Sequence, residues 1–404
     1  MENSKLYIVM VGLPARGKST IAANIKEGLQ HDYVRTRIFN NGDLRRKLIP
    51  NNTSIADFYN PENREGVALR EKISLLNLER AQRYLAGKGN AAILDATNAS
   101  LIRREKMLAH LNDHPVLFIE CINSDEEILD ASIRRKAELP EFSHQKTEKA
   151  IENFKKRIAY YVSLYTPLKR EPNFIQIDSL YKKVIQEEIR DTIPYYEQIR
   201  EFLVTNTLRH LFLARHGETY FNLENRIGGD SDLTEEGLLQ AEGLARYFRK
   251  KEIPLIFTSD TKRTIQMAMP IKASQQKCTI IPLPEFNEID GGICECMSYE
   301  EIRKEMPRVY RARKKDKYNY IYPEGEGYVA MRERIARGIN KVFYLSNTSK
   351  NLMIIGHRAT NRMILSHFLF RREEDVPYIY IPQNQFYYIS VAQNKKLFQL
   401  KRYK

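Results

Sequence analysis

Apolar residues recur along this chain in two rhythms. Short runs rich in Val, Ile and Leu read as buried strands: residues 6–11 (LYIVMV), 35–39, 89–94, 116–121 and 174–177, then 211–214, 254–258 and 353–356. Between them, apolar positions three and four apart predict helices from residue 20 onward and over 65–86, 100–112, 124–138, 147–165, 184–202 and 233–249. Ser124 is the expected cap of the 124–138 helix. Residues 58–64, with Asn-Pro punctuation, read as a loop. Strands alternating with helices predict an α/β protein with parallel sheets and right-handed crossovers. With 404 residues the chain is long enough for two doubly wound domains, 1–206 and 207–404. The strand at 174–177 is the expected last strand of the first, and the helix 184–202 bridges to the second.

The first strand runs into Gly12-Leu-Pro-Ala-Arg-Gly-Lys-Ser19, which fits G-x-x-x-x-G-K-[ST], and a helical pattern follows at once. Strand, glycine loop and helix in that order make a P-loop, in which backbone N–H groups face phosphates. The first domain is therefore expected to be a P-loop NTPase-type parallel sheet that binds ATP and Mg2+. Gly12, Gly17, Lys18, Ser19 and Thr20 form the nucleotide loop, Lys18 reaching the outer phosphates and Ser19 ligating the metal. Asp95 closes a later strand, where it can hold Mg2+ or accept the acceptor hydroxyl's proton. The alternative for Asp95-Ala-Thr-Asn98 is a helix cap. Arg45 and Arg46 stand just past the strand at 35–39, Arg70 on the helix 65–86, and Arg103 and Arg104 on the helix 100–112. Each is either a solvated charge or a cation for a phosphorylated acceptor. The helix 147–165 carries Lys155, Lys156 and Arg157, any of which can close over ATP, with Lys156 the expected contact.

The second half turns on Leu211-Phe-Leu-Ala followed by Arg215-His216-Gly217. A strand with this ending sets an imidazole and a guanidinium at the carboxyl edge of a sheet, where open α/β sheets bind ligands. A lone His there is usually no more than a polar strand end. Here Asn222 and Arg226 follow, and a second strand ends in Gly356-His357. A neutral imidazole can take a phosphoryl group for one step, and Arg215 can hold two of its oxygens. Arg263 sits where a strand gives way to a helix, a good anion position. Glu288 and Asp290 lie in a glycine-containing loop and can serve a leaving alkoxide as proton donor.

The net charge is +14, and residues 301–404 hold 22 Lys and Arg against nine Asp and Glu. Such a field draws nucleic acid or a small, highly anionic substrate. No apolar run is long enough to span a bilayer, and the start of the chain does not read as a signal peptide, so the expected location is cytoplasmic, with no membrane partner. Cys121, Cys278, Cys294 and Cys296 are expected to be reduced structural thiols, since one C-x-C pair does not make a zinc site.

Two stretches, RHGETYFNLENRIGGDSDLT and FNEIDGGICECMSYEEIR, resemble the bisphosphatase half of the 6-phosphofructo-2-kinase/fructose-2,6-bisphosphatase family, within the histidine phosphatase superfamily. The likeness spans residues 207–390. Residues 12–19, 39–46 and ILDATNASLIRR at 93–104 resemble the same family's kinase half, as does the helix bearing Arg70. The resemblance implies a histidine-phosphatase-type α/β sandwich as the second domain. It implies Lys18, Ser19 and Asp95 as kinase centre, with Arg45, Arg46, Arg70, Thr97 and Arg103 contacting fructose 6-phosphate. It implies His216 as nucleophile, Glu288 as acid with Asp290 as second choice, and Arg215, Asn222, Arg263 and His357 around the phosphoryl group. Tyr299, Arg313, Lys317, Tyr328 and Arg362 would grip the rest of fructose 2,6-bisphosphate, and two copies would form a homodimer. There are two departures. The family has Gly-Arg-Arg where Asp178 is followed by Ser-Leu-Tyr-Lys, leaving Lys182 or Lys183 to replace a sugar-phosphate arginine. It has Gln where this chain has Arg358, an added cation for the substrate. Two rival readings are a nucleic-acid end-processing kinase-phosphatase and a non-catalytic sugar-phosphate sensor. The first calls for a basic, aromatic stripe across both sites. The second should have lost Lys18, His216 or Glu288, all of which are present.

Overall fold

The computed structural model describes residues 4–49, 53, 55–137, 142, 145–205, 208–346, 349, 351–369, 372–392 and 395–403. The chain divides into two compact units, Met1–Asn206 and Thr207–Lys404. The two residues at that division lie outside the described set.

In the first unit, β1 (Leu6–Val11), β2 (Thr36–Asn40), β3 (Ala91–Asp95), β4 (Val116–Ile122), β5 (Asn173–Asp178) and β6 (Lys183–Ile189) form one sheet in the order β2-β3-β1-β4-β5-β6. The first five run parallel, and β6 turns back antiparallel to β5. Every residue of β1 is buried. Leu6, Ile8 and Met10 pack with Ile25, Leu29 and Phe202 on one face. Tyr7, Val9 and Val11 pack with Leu78, Leu85 and Phe118 on the other. Burial on both faces explains why the run reads as continuously apolar.

Two expectations differ, and one helix is added. The helix expected at 184–202 is β6 followed by the helix Tyr196–Val204, so β5 is not the last strand. β6 is an edge strand whose side chains are half-buried or exposed, so Val184, Ile185 and Ile189 do not alternate cleanly. Asp178 makes the turn, its carboxylate accepting the N–H groups of Leu180 and Tyr181 at 2.9 Å. The helix Glu126–Ala137 is capped by Asp125, not Ser124: Asp125 Oδ1 accepts from Ile128 N at 2.9 Å. Residues following β2 form a helix, Asn41–Leu48, begun by the Asn40 side chain accepting from Asp43 N.

In the second unit, β7 (Leu208–Arg215), β8 (Leu255–Thr258), β9 (Thr279–Pro282), β10 (Asn351–Gly356), β11 (Gln385–Ala392) and β12 (Lys395–Arg402) lie in the order β12-β11-β7-β10-β8-β9. β7, β10, β8 and β9 are parallel, while β11 and β12 add an antiparallel margin. Phe212, Leu244, Phe248, Ile256, Met267, Met353 and Phe386 anchor one face. No helix among the described residues is long and apolar enough to cross a membrane.

Candidate active sites

Both sites stand at the carboxyl ends of the parallel strands. In the first unit β1 is followed by Gly12, whose φ of 129° suits only glycine; a Cβ there would come 2.5 Å from Cys121 O. Gly17, with φ 81°, starts the helix Lys18–His31. Lys18 is nine-tenths buried and donates from Nζ to Leu13 O at 2.7 Å. Burial first, then the charge of Lys136, pulls its ammonium down to about 7, and Asp95 acts in the opposite sense. Asp95, at the end of β3, is paired in register with Asn40 at the end of β2 and accepts from Asn40 Nδ2 at 2.6 Å.

Beyond Asp95 lies a cavity of about 340 Å³. Arg45, Arg70, Thr97 and Arg103 line it together with Tyr59 and Arg157. Arg103 Nε donates to Asn98 Oδ1 at 3.0 Å, and its Nη1 pairs with Glu71 at 2.8 Å. Arg70 donates to Phe58 O. Arg157 stacks over the Tyr59 ring at 3.9 Å.

Arg46 is not on this wall. Consecutive helical residues diverge by about 100°, so with Arg45 turned inward Arg46 faces out, where it pairs with Asp43. Lys156 is likewise on an outer face, paired with Glu152 at 2.7 Å, and Arg157 is the cation of its trio that enters the cavity. Lys182 donates to Thr205 O at 2.7 Å, and neither it nor Lys183 lines the cavity. Arg104 is structural, fully buried against Glu171 at 2.5 Å and bonded to the carbonyls of Asn98 and Ala99. Tyr59, Tyr161 and the inward turn of Arg157 carry no spacing signal in the sequence.

In the second unit the register of β7 and β10 sets Gly356 opposite Arg215, and His216 N donates to Gly356 O at 3.0 Å. His216 and His357 therefore leave neighbouring strands side by side, with ring centroids 5.3 Å apart. Gly217 lets the His216 loop rest on the following helix; a Cβ there would meet Gly237 O at 2.6 Å. His216 Nδ1 lies 2.7 Å from Gly217 O, which can only accept, so Nδ1 carries the proton and Nε2 keeps a lone pair. Burial, then Arg215 and Arg263, holds His216 well below the ordinary imidazole range, so the ring is neutral. The same causes, led by burial and Arg263, keep His357 neutral.

A cavity of about 350 Å³ opens over His216. Arg215, Asn222, Arg263 and Glu288 are on its inner wall; Tyr299, Arg313, Lys317, Tyr328, Arg358 and Arg362 complete it. Arg215 Nε is buried without a hydrogen-bond partner among the described residues, and burial followed by the charge of Arg358 lowers its guanidinium to about 9. A buried, unsatisfied guanidinium on a cavity wall is suited to an anion. The Asn222 amide oxygen accepts from Gln383 Nε2 at 2.8 Å and Thr219 N at 3.3 Å. Glu288 accepts the N–H groups of Arg358, Ala359 and Thr360 at 2.9–3.2 Å, at the start of the helix Arg358–Phe368. Asp290 is off the cavity, its carboxylate bonded to Gly292 N at 2.8 Å. At the outer end Arg313 donates to Tyr299 OH, and Arg362 to Tyr328 OH and Ile379 O. Lys317 is drawn down to about 8 by burial and by Arg313, Arg362 and Arg358. No motif marks Gln383, whose amide also donates to Gly217 O at 3.1 Å.

His357 is held by two side chains. Its Nδ1 accepts from Arg263 Nε at 3.2 Å, and its one N–H, on Nε2, is directed at Ser259 Oγ, 2.8 Å away.

A P-loop sheet with an arginine-lined cavity, and a second sheet with an activated imidazole among arginines, define the class: a phosphoryl-transfer protein joining a kinase unit to a histidine phosphatase unit. A family model for 6-phosphofructo-2-kinase matches residues 1–210, and one for the histidine phosphatase superfamily (branch 1) matches residues 211–403. The chain belongs to the 6-phosphofructo-2-kinase/fructose-2,6-bisphosphatase family. It is 33% identical over 390 residues to 6-phosphofructo-2-kinase/fructose-2,6-bisphosphatase 1 of Rattus norvegicus, covering 94% of this chain and 80% of that one. It is 33% identical to 6-phosphofructo-2-kinase/fructose-2,6-bisphosphatase 3 of Homo sapiens, covering 95% and 74%. Among solved structures it is similar to one described as a putative alpha-ribazole-5'-P phosphatase from Escherichia coli, with 23% identity and a TM-score of 0.45, covering 48% of this chain and 96% of that one.

Proposed function

We infer that this chain both makes and breaks fructose 2,6-bisphosphate. The first unit transfers the γ-phosphoryl group of ATP to O2 of fructose 6-phosphate, and the second removes it through a phosphohistidine on His216. The observation that carries the phosphatase reading is the His216 tautomer, with Nδ1–H tied to Gly217 O and the lone pair left on Nε2. Nε2 attacks phosphorus, and the P–O2 bond breaks. Glu288 gives the departing oxygen its proton and later takes one from the water that releases phosphate. Arg215, Asn222 and Arg263 stabilise the charge on the phosphoryl oxygens. Tyr299, Arg313, Lys317, Tyr328, Arg358 and Arg362 hold the sugar and its other phosphate.

In the kinase unit the glycine cradle and the buried Lys18 fit a polyphosphate. Ser19 and Asp95 would hold Mg2+, which supplies charge neutralisation on the phosphates. Arg45, Arg70, Arg103 and Thr97 seat the sugar phosphate, and rate comes mainly from positioning and charge. On family membership alone, we also propose a homodimer working in the cytoplasm. The nucleic-acid reading is less favoured, because Arg313, Lys317, Arg358 and Arg362, from the most basic stretch of the chain, converge on one cavity instead of forming a stripe.

The test is incubation of the purified protein with Mg·ATP and fructose 6-phosphate, with the product identified by ³¹P NMR and acid lability. An acid-labile 2-phosphate establishes the kinase. His216→Ala should abolish the phosphoenzyme formed from fructose 2,6-bisphosphate and leave the kinase active. A phosphoenzyme that persists in that variant refutes the nucleophile, and no product from wild type or variant refutes the kinase reading.

A further inference from the structure

Ser259 follows the last residue of β8, and both it and His357 are fully buried. Its hydroxyl lies 2.8 Å from His357 Nε2, 2.9 Å from Thr264 Oγ1 and 3.0 Å from Thr261 Oγ1, and it accepts from Thr261 N at 3.3 Å. The direction of this network is set at its Arg263 end. Arg263 Nε can only donate, so His357 Nδ1 must accept. A neutral His357 therefore carries its proton on Nε2 and donates it to Ser259. At the far end Thr264 Oγ1 donates to the Thr261 carbonyl at 3.0 Å, which leaves its oxygen to accept from Ser259. The result is a chain running from Arg263 to His357 to Ser259, whose own proton goes on to the hydroxyl of Thr264 or Thr261.

We propose that Ser259 is a positioning residue of the phosphatase centre, whose hydroxyl fixes the tautomer and ring orientation of His357 and so holds Arg263 in line beside His216. His357 and His216 face each other with ring centroids 5.3 Å apart. Without the Ser259 acceptor, the His357 N–H would turn to another acceptor, and the neighbouring lone pair is that on His216 Nε2, on a ring whose centroid is 5.3 Å away. A hydrogen bond there would cap the nucleophile. Ser259 thus keeps the proton of one histidine away from the attacking atom of the other. No covalent step is assigned to it.

The rate consequence rests on the phosphohistidine reading; the tautomer does not, and the two are measured separately. In protein labelled with ¹⁵N-histidine, ring-nitrogen spectra should show His357 protonated on Nε2 and bare on Nδ1. Its signals are identified by their loss in His357→Ala. Ser259→Ala should change that pattern, and Ser259→Thr, which retains a hydroxyl, should restore it. With fructose 2,6-bisphosphate, Ser259→Ala should form phosphoenzyme about 10–100-fold more slowly, KM changing less than kcat. Ser259→Thr should recover most of the rate. A wild-type His357 protonated on Nδ1 overturns the inference. So does a Ser259→Ala variant with unchanged His357 signals and a rate within about twofold of wild type. A wild-type protein that forms no phosphoenzyme at all refutes the phosphohistidine reading and the rate role with it, while the spectra still decide the tautomer.

Discussion

Nucleotide binding should draw a proton onto Lys18. The side chain is nine-tenths buried, and burial with the nearby Lys136 lowers its ammonium from the ordinary lysine range to about 7. Above that pH the group is mostly a neutral amine, hydrogen-bonded to Leu13 O. A polyphosphate in the loop supplies the missing counter-charge and restores the ammonium. At pH 8 about 0.9 of a proton should be taken up per chain, and at pH 6 only about 0.1. The complex binds more protons than the free chain, so affinity falls as pH rises, approaching about tenfold per pH unit well above 7. Calorimetry of a non-hydrolysable ATP analogue with Mg2+ at pH 8, in two buffers of different ionisation enthalpy, reads the uptake directly. Lys18→Met should bind more weakly with no uptake. A wild-type protein whose binding heat is independent of buffer at pH 8, or a variant with the same dependence as wild type, would refute the reasoning.

Lys317, drawn down to about 8, faces the cavity as a cation only below that pH, so KM for fructose 2,6-bisphosphate should climb as pH rises through about 8. Lys317→Met should flatten that profile and raise KM at pH 7 by about 10–100-fold; an unchanged slope would remove Lys317 from the substrate grip. Glu171→Gln leaves fully buried Arg104 without its counter-charge and should cost the first unit about 3–5 kcal/mol. Denaturant titration followed by loss of kinase activity measures this, and an unshifted midpoint would contradict it.

The reaction centres were readable where their residues are contiguous. The glycine loop and Arg215-His216-Gly217 each sit on one strand end, and local geometry does the rest. Register did what no motif states: pairing of Gly356 with Arg215 sets two histidines 141 positions apart side by side. Choices of helical phase were opaque. Arg45 and Arg46 are equivalent in sequence until Asn40 caps the helix and turns one inward. The same holds for Lys156 and Arg157. β6 was misread because an edge strand need not alternate, and β11 and β12 went unread, although they complete the second sheet. Ser259 and Gln383 work through hydrogen bonds to a few neighbours, and polar side chains at loop positions leave no periodic trace.

The crowding of guanidinium groups around His216 has a meaning for the life of the protein as well as for its chemistry. Arg215, Arg263, Arg358 and Arg362 share one cavity with Lys317, and their mutual repulsion is part of what lowers Arg215 and Lys317. An anion that enters binds the folded unit and not the unfolded chain, so it acts as a folding ligand, its effect growing with the logarithm of its concentration. The second unit is then least durable when its phosphorylated ligands are scarce. Resistance to heat and to proteases should rise and fall with the supply of the metabolites it acts on, linking the amount of protein to the state of its own substrate pool.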